Sequence, residues 1–205
     1  SSSKPKKVDK IENETDRYHE VDTQIQKVEN GLKKIERQQK KTFGADFLEA
    51  LNDEYELLNE QIDNYNEKLE IAKEEQDELK TKLAGQGVQF NADGTIANYE
   101  EIIKKEEDKV NALIERYNNL SVDEQKKWDE AGTIDNAKEN FNKFKENLDR
   151  YDELVTDFIP GIEENVADSL DRLIEIDIEK FNYEIKIRLD MSEAERDWNQ
   201  FLADI

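Results

Sequence analysis

Large apolar residues recur at alternating intervals of three and four along most of this chain. Ile11, Glu14, Tyr18, Val21, Ile25, Val28, Leu32 and Ile35 keep that rhythm, and all but Glu14 are apolar. The spacing holds one seam on one side of an α-helix, and a seven-residue repeat winds that seam around a partner helix. A second run, Leu48, Leu51, Tyr55, Leu58, Ile62, Tyr65, Leu69, Ala72, Gln76, Leu79 and Leu83, keeps the same rhythm for more than four heptads. The spacing predicts helices of roughly 50 and 57 Å at about 1.5 Å per residue. Between them, Thr42-Phe43-Gly44-Ala45-Asp46 offers Gly44 as a helix end and Asp46 as the next cap. Two helices of matched length on a short turn fold back most simply as an antiparallel hairpin.

Outside the seams the residues are Lys, Glu, Gln, Asp and Asn, so each helix can withdraw only a stripe from water. The whole chain of 205 residues is 35% hydrophobic and 40% charged, with 52 acidic and 30 basic residues and a net charge of −22. That is too little apolar material for one large globule. It is also too periodic and too aromatic, with two Trp, seven Tyr and eight Phe, for a disordered acidic tail.

After Ala84 the pattern changes. Gly85-Gln86-Gly87 ends the helix, and Val88 and Phe90 alternate with polar neighbours. Asn91-Ala92-Asp93-Gly94 suits a type I turn with Gly94 left-handed, and Thr95-Ile96 suits a return strand. A small β-hairpin is expected, with Asn98 capping a third helix and Glu101 completing its capping box. A calcium loop competes for the same residues. Asn91, Asp93, Gly94 and Glu100 fall at the third, fifth, sixth and twelfth places of such a loop, but Gln89 stands where an Asp should begin it. A neutral amide at that place weakens a hard-cation site, and the plain hairpin is the preferred reading.

The third helix carries Tyr99, Ile103, Glu106, Val110, Leu113, Tyr117 and Leu120. Ser121 and Glu124 make a capping box for a short helix ending near Gly132, with Trp128 inside it. Ile134, Ala137, Phe141, Phe144, Leu148, Tyr151, Val155, Phe158 and Ile162 resume the rhythm, and Pro160-Gly161 is expected to break or kink it. Farther on, Phe181, Tyr183, Ile185, Ile187 and Leu189 alternate with polar residues. Period two predicts a half-buried β-strand, followed by a helix capped at Ser192. A lone strand cannot satisfy its ladder groups, so its partner is expected in another copy or another protein.

Mainly α architecture is therefore expected: antiparallel helical hairpins or coiled coil, a small β-hairpin and one C-terminal strand. The organisation reads as a linker at 1–7, a helical hairpin at 8–84, the β-hairpin at 85–97, a helical segment kinked near Pro160 at 98–177, and strand plus short helix at 178–205. The opening Ser1-Ser2-Ser3-Lys4-Pro5-Lys6-Lys7 reads as linker and not as a secretory signal.

The composition excludes several chemistries. With no Cys there is no disulfide, thiolate metal site or thiol nucleophile, and with His19 alone no two-His site within one chain. No cofactor is implied. No apolar run approaches the ~20 residues that span a bilayer. The best basic patch, Lys33, Lys34, Arg37, Lys40 and Lys41, contains Glu36 and no aromatic residue, and reads as a solvated helix face. A charge of −22 repels phosphate, so no specific nucleic-acid binding is expected. The interaction-bearing residues are then the seam (Ile11, Tyr18, Ile25, Leu32, Leu48, Tyr55, Ile62, Leu69) and the strand awaiting a partner (Phe181, Tyr183, Ile185, Ile187, Leu189).

Two stretches add a resemblance. Gly87–Glu101, carrying Phe90-Asn91-Ala92-Asp93-Gly94-Thr95-Ile96-Ala97-Asn98-Tyr99, resembles a linker of long coiled-coil proteins of tailed bacteriophages, tape-measure and other internal virion proteins among them. Glu179–Asp190, with Ala194-Glu195-Arg196-Asp197-Trp198, is similar to segments of very large virion proteins of gut phages, including the crAss-like group. The resemblance implies a structural, non-catalytic role in the tail or capsid interior, with self-association or other virion proteins as partners. A cytoplasmic coiled-coil adaptor is the alternative.

Overall fold

The three-four seams are helices in the computed structural model, which describes residues 14–205. The expected linker at 1–7 and the seam residue Ile11 lie outside the described residues. The helices are α1 (Glu14–Gln39), α2 (Ala45–Gly85), α3 (Tyr99–Asn118), α4 (Val122–Ala131), α5 (Thr133–Glu153) and α6 (Ile159–Asp204), with a π-helical turn at Leu154–Phe158 between the last two. Mainly α is thus the fold class. The chain divides into two compact units: the residues up to Leu69 with Ile162–Ile205, and Glu70–Gly161.

In the first unit α1 and the first part of α2 run antiparallel. Asp22 pairs with Lys68 at 2.7 Å and Gln39 with Glu54 at 2.5 Å, so early residues of one helix meet late residues of the other. The seam provides the packing: Tyr18, Val21, Ile25, Val28 and Ile35 are buried. Gly31 lets the helices close, since a Cβ there would stand 3.1 Å from Leu57 Cδ1. α6 lies against this pair, with Leu173 and Ile176 closing a core on Leu51 and Leu58. Arg172 of α6 grips Glu54 with two nitrogens, at 2.6 and 3.0 Å, and also reaches Glu175 and Glu179. Glu54 thereby ties all three helices, and its carboxylate holds the guanidinium proton more tightly than usual.

In the second unit Leu83, Val88, Ile102, Phe144, Leu148 and Tyr151 form the core. The box at Ser121 and Glu124 is closed in both directions, and Gly132 ends α4 left-handed at φ +66°. Trp128 is half-buried beside Tyr117 and under Arg116.

Four expectations fail, each for a physical reason. First, no strand forms among the described residues. The 85–97 segment keeps only one antiparallel bridge, Phe90 to Ile96, because glycines and the start of α3 leave its arms too short to extend a ladder. Second, Asn98 does not cap α3 with its side chain. Its amide group staples the loop instead, accepting from the Gln89 N–H at 2.8 Å and donating to the Gly87 carbonyl at 3.2 Å. Third, of the break or kink expected at Pro160-Gly161, the break does not form. The π turn just upstream widens the backbone where Pro160 cannot donate, and helical structure continues from α5 into α6.

Fourth, Phe181, Tyr183, Ile185, Ile187 and Leu189 are helical, and Ser192 lies inside α6. Residues two apart on a helix point to opposite sides, so an alternating run describes a helix with two apolar stripes as well as it does a strand. The run has no Gly or Pro between Ile162 and Ile205 to halt α6.

The Arg150 guanidinium meets Glu75 at 2.6 and 3.0 Å, and the Glu75 side chain is only 5% exposed. Glu75→Ala is expected to cost about 3 kcal/mol in urea denaturation, because it takes the buried carboxylate from a largely buried cation and leaves it the half-exposed Glu153 at 3.5 Å. Replacing both residues by Leu and Met should cost less than about 1 kcal/mol. Tyr99 donates its hydroxyl proton to Asp149, which, with lesser help from burial and from the charges of Asp149 and Asp152, pushes its pKa up to about 12. The folded state holds this proton more tightly than the unfolded one. The linked stability is therefore complete below pH 10 and lost as pH rises towards 12. Ultraviolet titration of wild type against Tyr99→Phe should show the missing tyrosine as one that ionises near pH 12; a difference centred near 10 would refute the assignment.

Candidate functional site

The seam residues named from sequence are spent on the chain's own packing. Tyr18 and Ile25 are buried, and Leu32, Leu48, Tyr55, Ile62 and Leu69 are half-buried. Leu32, Tyr55 and Ile62 lie directly on the core that α6 completes. The alternating residues are left open instead, all but Tyr183 being exposed.

The loop at 85–98 is held by its own side chains. The Asp93 carboxylate accepts from the Thr95 N–H at 3.0 Å and from the Thr95 hydroxyl at 2.6 Å, and the Asn91 amide donates to that hydroxyl at 2.9 Å. The Thr95 hydrogen bonds hold the Asp93 carboxyl below its ordinary pKa. Tyr151 seals the turn from below, donating to the Gly94 carbonyl at 2.5 Å, with its ring edge-on to Phe90. Gly94 takes φ +86°, which a side chain would strain. Asn91, Asp93 and Glu100 are exposed, and the described residues contain no group of three His, Cys, Asp or Glu placed to hold a metal. His19 is exposed on α1. A groove of about 550 Å³ on the second unit has Leu113, Phe141 and Phe144 along it and Lys105, Glu106 and Lys109 beside them. Its charges alternate in sign and converge on nothing.

The feature that ordinary packing leaves unused is on α6. Among the described residues the exposed large apolar side chains are Phe43, Val122 and a long series at or after Leu170. That series makes two stripes. One holds Leu170, Ile174, Ile178, Phe181, Ile185 and Leu189, spaced four, four, three, four, four. At 100° per residue it lies on the side of α6 away from Leu173 and Ile176, hence away from α1 and α2. The other continues the packed side of α6 past the end of the hairpin. Tyr183 still touches Phe47 and lies 3.9 Å from a Cβ built on Gly44, at the α1–α2 turn. Beyond it, every residue from Glu184 to Ile205 is exposed, with Trp198 stacked on Phe201. Glu184 to Ile205, about 22 residues or some 33 Å of chain, thus bury no side chain.

The strand expectation had three residues of the first stripe, Phe181, Ile185 and Leu189, but missed Leu170, Ile174 and Ile178. The signal for them was present in the spacing of four and three running back from Phe181.

No helix of the described residues is long and apolar enough to cross a membrane. A helical segment that buries no side chain adds little to the stability of its own unit. A chain ending at Leu189 is therefore expected to melt within about 2 °C of the whole chain, in dilute solution by circular dichroism. A larger drop would mean that 190–205 pack on the described fold after all.

No family model, curated protein or solved structure matches this chain.

Proposed function

We propose that this chain is a non-catalytic structural component of a tailed-phage virion, tape-measure-like or an internal protein that leaves with the genome. What supports the reading is the resemblance read in the sequence, of Gly87–Glu101 and Glu179–Asp190 to segments of long phage virion proteins. The physical character of the chain is in keeping with it. Helices that pair along narrow stripes bury little surface per residue, so they yield to extension and unfolding at modest cost. A net charge of −22 keeps such a protein from adhering to packaged DNA. Contacts in the assembly would come from further copies or from other virion proteins.

A cellular coiled-coil adaptor is the second reading, favoured by the apolar residues that α6 exposes. Peptide mass spectrometry of purified particles, from a crAss-like phage encoding this chain, separates the two. The virion reading expects its peptides in full particles, and their depletion after triggered DNA release marks it as an ejected component. Peptides retained in emptied particles place it in the shell or tail, still within the virion reading. Absence from both overturns that reading in favour of the adaptor.

A further inference from the structure

We infer that the open stripe of α6 is an interface with a second copy of the chain, the two α6 helices lying antiparallel about a two-fold axis between Ile178 and Phe181. This goes beyond the virion reading and does not depend on it.

The spacing of the stripe is a palindrome. Turned end for end, it brings Leu170 opposite Leu189, Ile174 opposite Ile185, and Ile178 opposite Phe181, with no apolar residue left over at either end. The residues are 40% to 64% exposed, so their surface is available. The stripe points away from α1 and α2, so a second α6 approaches without meeting the hairpin.

The charges beside the stripe choose the direction. Its first half is flanked by acids, Glu163, Asp171, Glu175 and Asp177, while its second half carries Lys186 and Arg188. In an antiparallel pair the same flank of each helix meets, so Lys186 falls beside Glu175 of the second copy. Arg188 stands level with Asp171 of the second copy, with Asp177 about 9 Å farther along the axis. One like-charge approach, Glu184 to Asp177, stands against these, and both residues are exposed. A parallel pair brings the acidic first halves together, with Glu175 beside Asp177 of the second copy, and leaves Lys186 only Glu184 as an opposite charge, with Arg188 as near. A two-fold pairing is also closed: it uses the same patch on both copies and stops at two.

Six half-exposed side chains of this size present on the order of 500 Å² of apolar surface. Two copies then remove on the order of 1,000 Å², the lower edge of a specific interface. An interface of that size suits a reversible dimer, not a permanent one.

The whole chain tests this, because it contains no Cys of its own. Sedimentation velocity from about 0.1 to 100 μM should show monomer passing to dimer and no larger species. The variant Ile178→Glu with Phe181→Glu changes only exposed positions. It should keep the helical circular dichroism and raise the dissociation constant at least about 100-fold. Direction is read by oxidising single-cysteine variants. An equal mixture of Ile174→Cys and Ile185→Cys chains should form the mixed disulfide. Neither variant alone should cross-link, since copies of the same position stand about 16 Å apart along the axis. A chain monomeric at 100 μM overturns the inference. So does a dimer indifferent to the paired Glu variant, and so does a disulfide joining Ile174→Cys to Ile174→Cys.

Discussion

Each helix of this chain can withdraw only one narrow stripe from water, and the fold follows from how those stripes are paired. With 40% of residues charged, burial cannot spread around a helix without taking carboxylates with it. Cations are scarcer than anions, and their placement decides which acidic positions come inside. Two arginines carry this role, one in each unit. Arg172 meets Glu54 in the first unit and Arg150 meets Glu75 in the second, each through two nitrogens. Both glutamates belong to α2, so that helix brings acid to the packed side of each unit only where a guanidinium answers it. The same economy explains the small residue Gly31. It costs about 1 kcal/mol of helix propensity against Ala, and in return it lets α1 and α2 approach closely enough for the thin seam to be shared.

Helix continuity around Pro160 illustrates how packing overrides a local breaker. The proline removes one backbone donor and presses its ring on the preceding turn. Leu154, Ile159 and Ile162, on both sides of it, are buried. Breaking the helix would expose these apolar residues, whereas one widened turn relieves the ring and keeps them covered. The π turn is thus the cheaper distortion, and Thr156 within it bonds back to the Asp152 carbonyl at 2.7 Å.

The seams of α1 to α5 were legible in the sequence because a three-four rhythm has no rival explanation over several heptads. Capping chemistry was legible where donor and acceptor are adjacent in the chain, as at Ser121 with Glu124. It failed at Asn98, whose side chain serves the loop eleven residues back at Gly87, a relation that no local pattern records. The largest error was at Phe181–Leu189. Alternation is a sound sign of a strand only when the flanking sequence ends the element. Here Glu, Lys, Arg and Ala continue on both sides without a glycine or proline. The period-two pattern was two helical stripes seen edge-on, and the candidate surface was hidden in that misreading.

The two stripes of α6 also differ in what they ask of a neighbour. The stripe from Leu170 to Leu189 runs beside acids at one end and beside Lys186 and Arg188, with Glu184, at the other, so its selectivity is electrostatic as well as apolar. A protein of net charge −22 repels its own copies at a distance, with a screening length of about 10 Å at 0.1 M salt. Only a contact that sets Lys186 and Arg188 near the acids of the other chain offsets that repulsion locally. An apolar face on a strongly acidic helix is therefore not indiscriminately adhesive. Repulsion removes the arrangements in which acid meets acid and leaves the few in which the scarce cations are shared, the same rule by which Arg150 and Arg172 fix the interior.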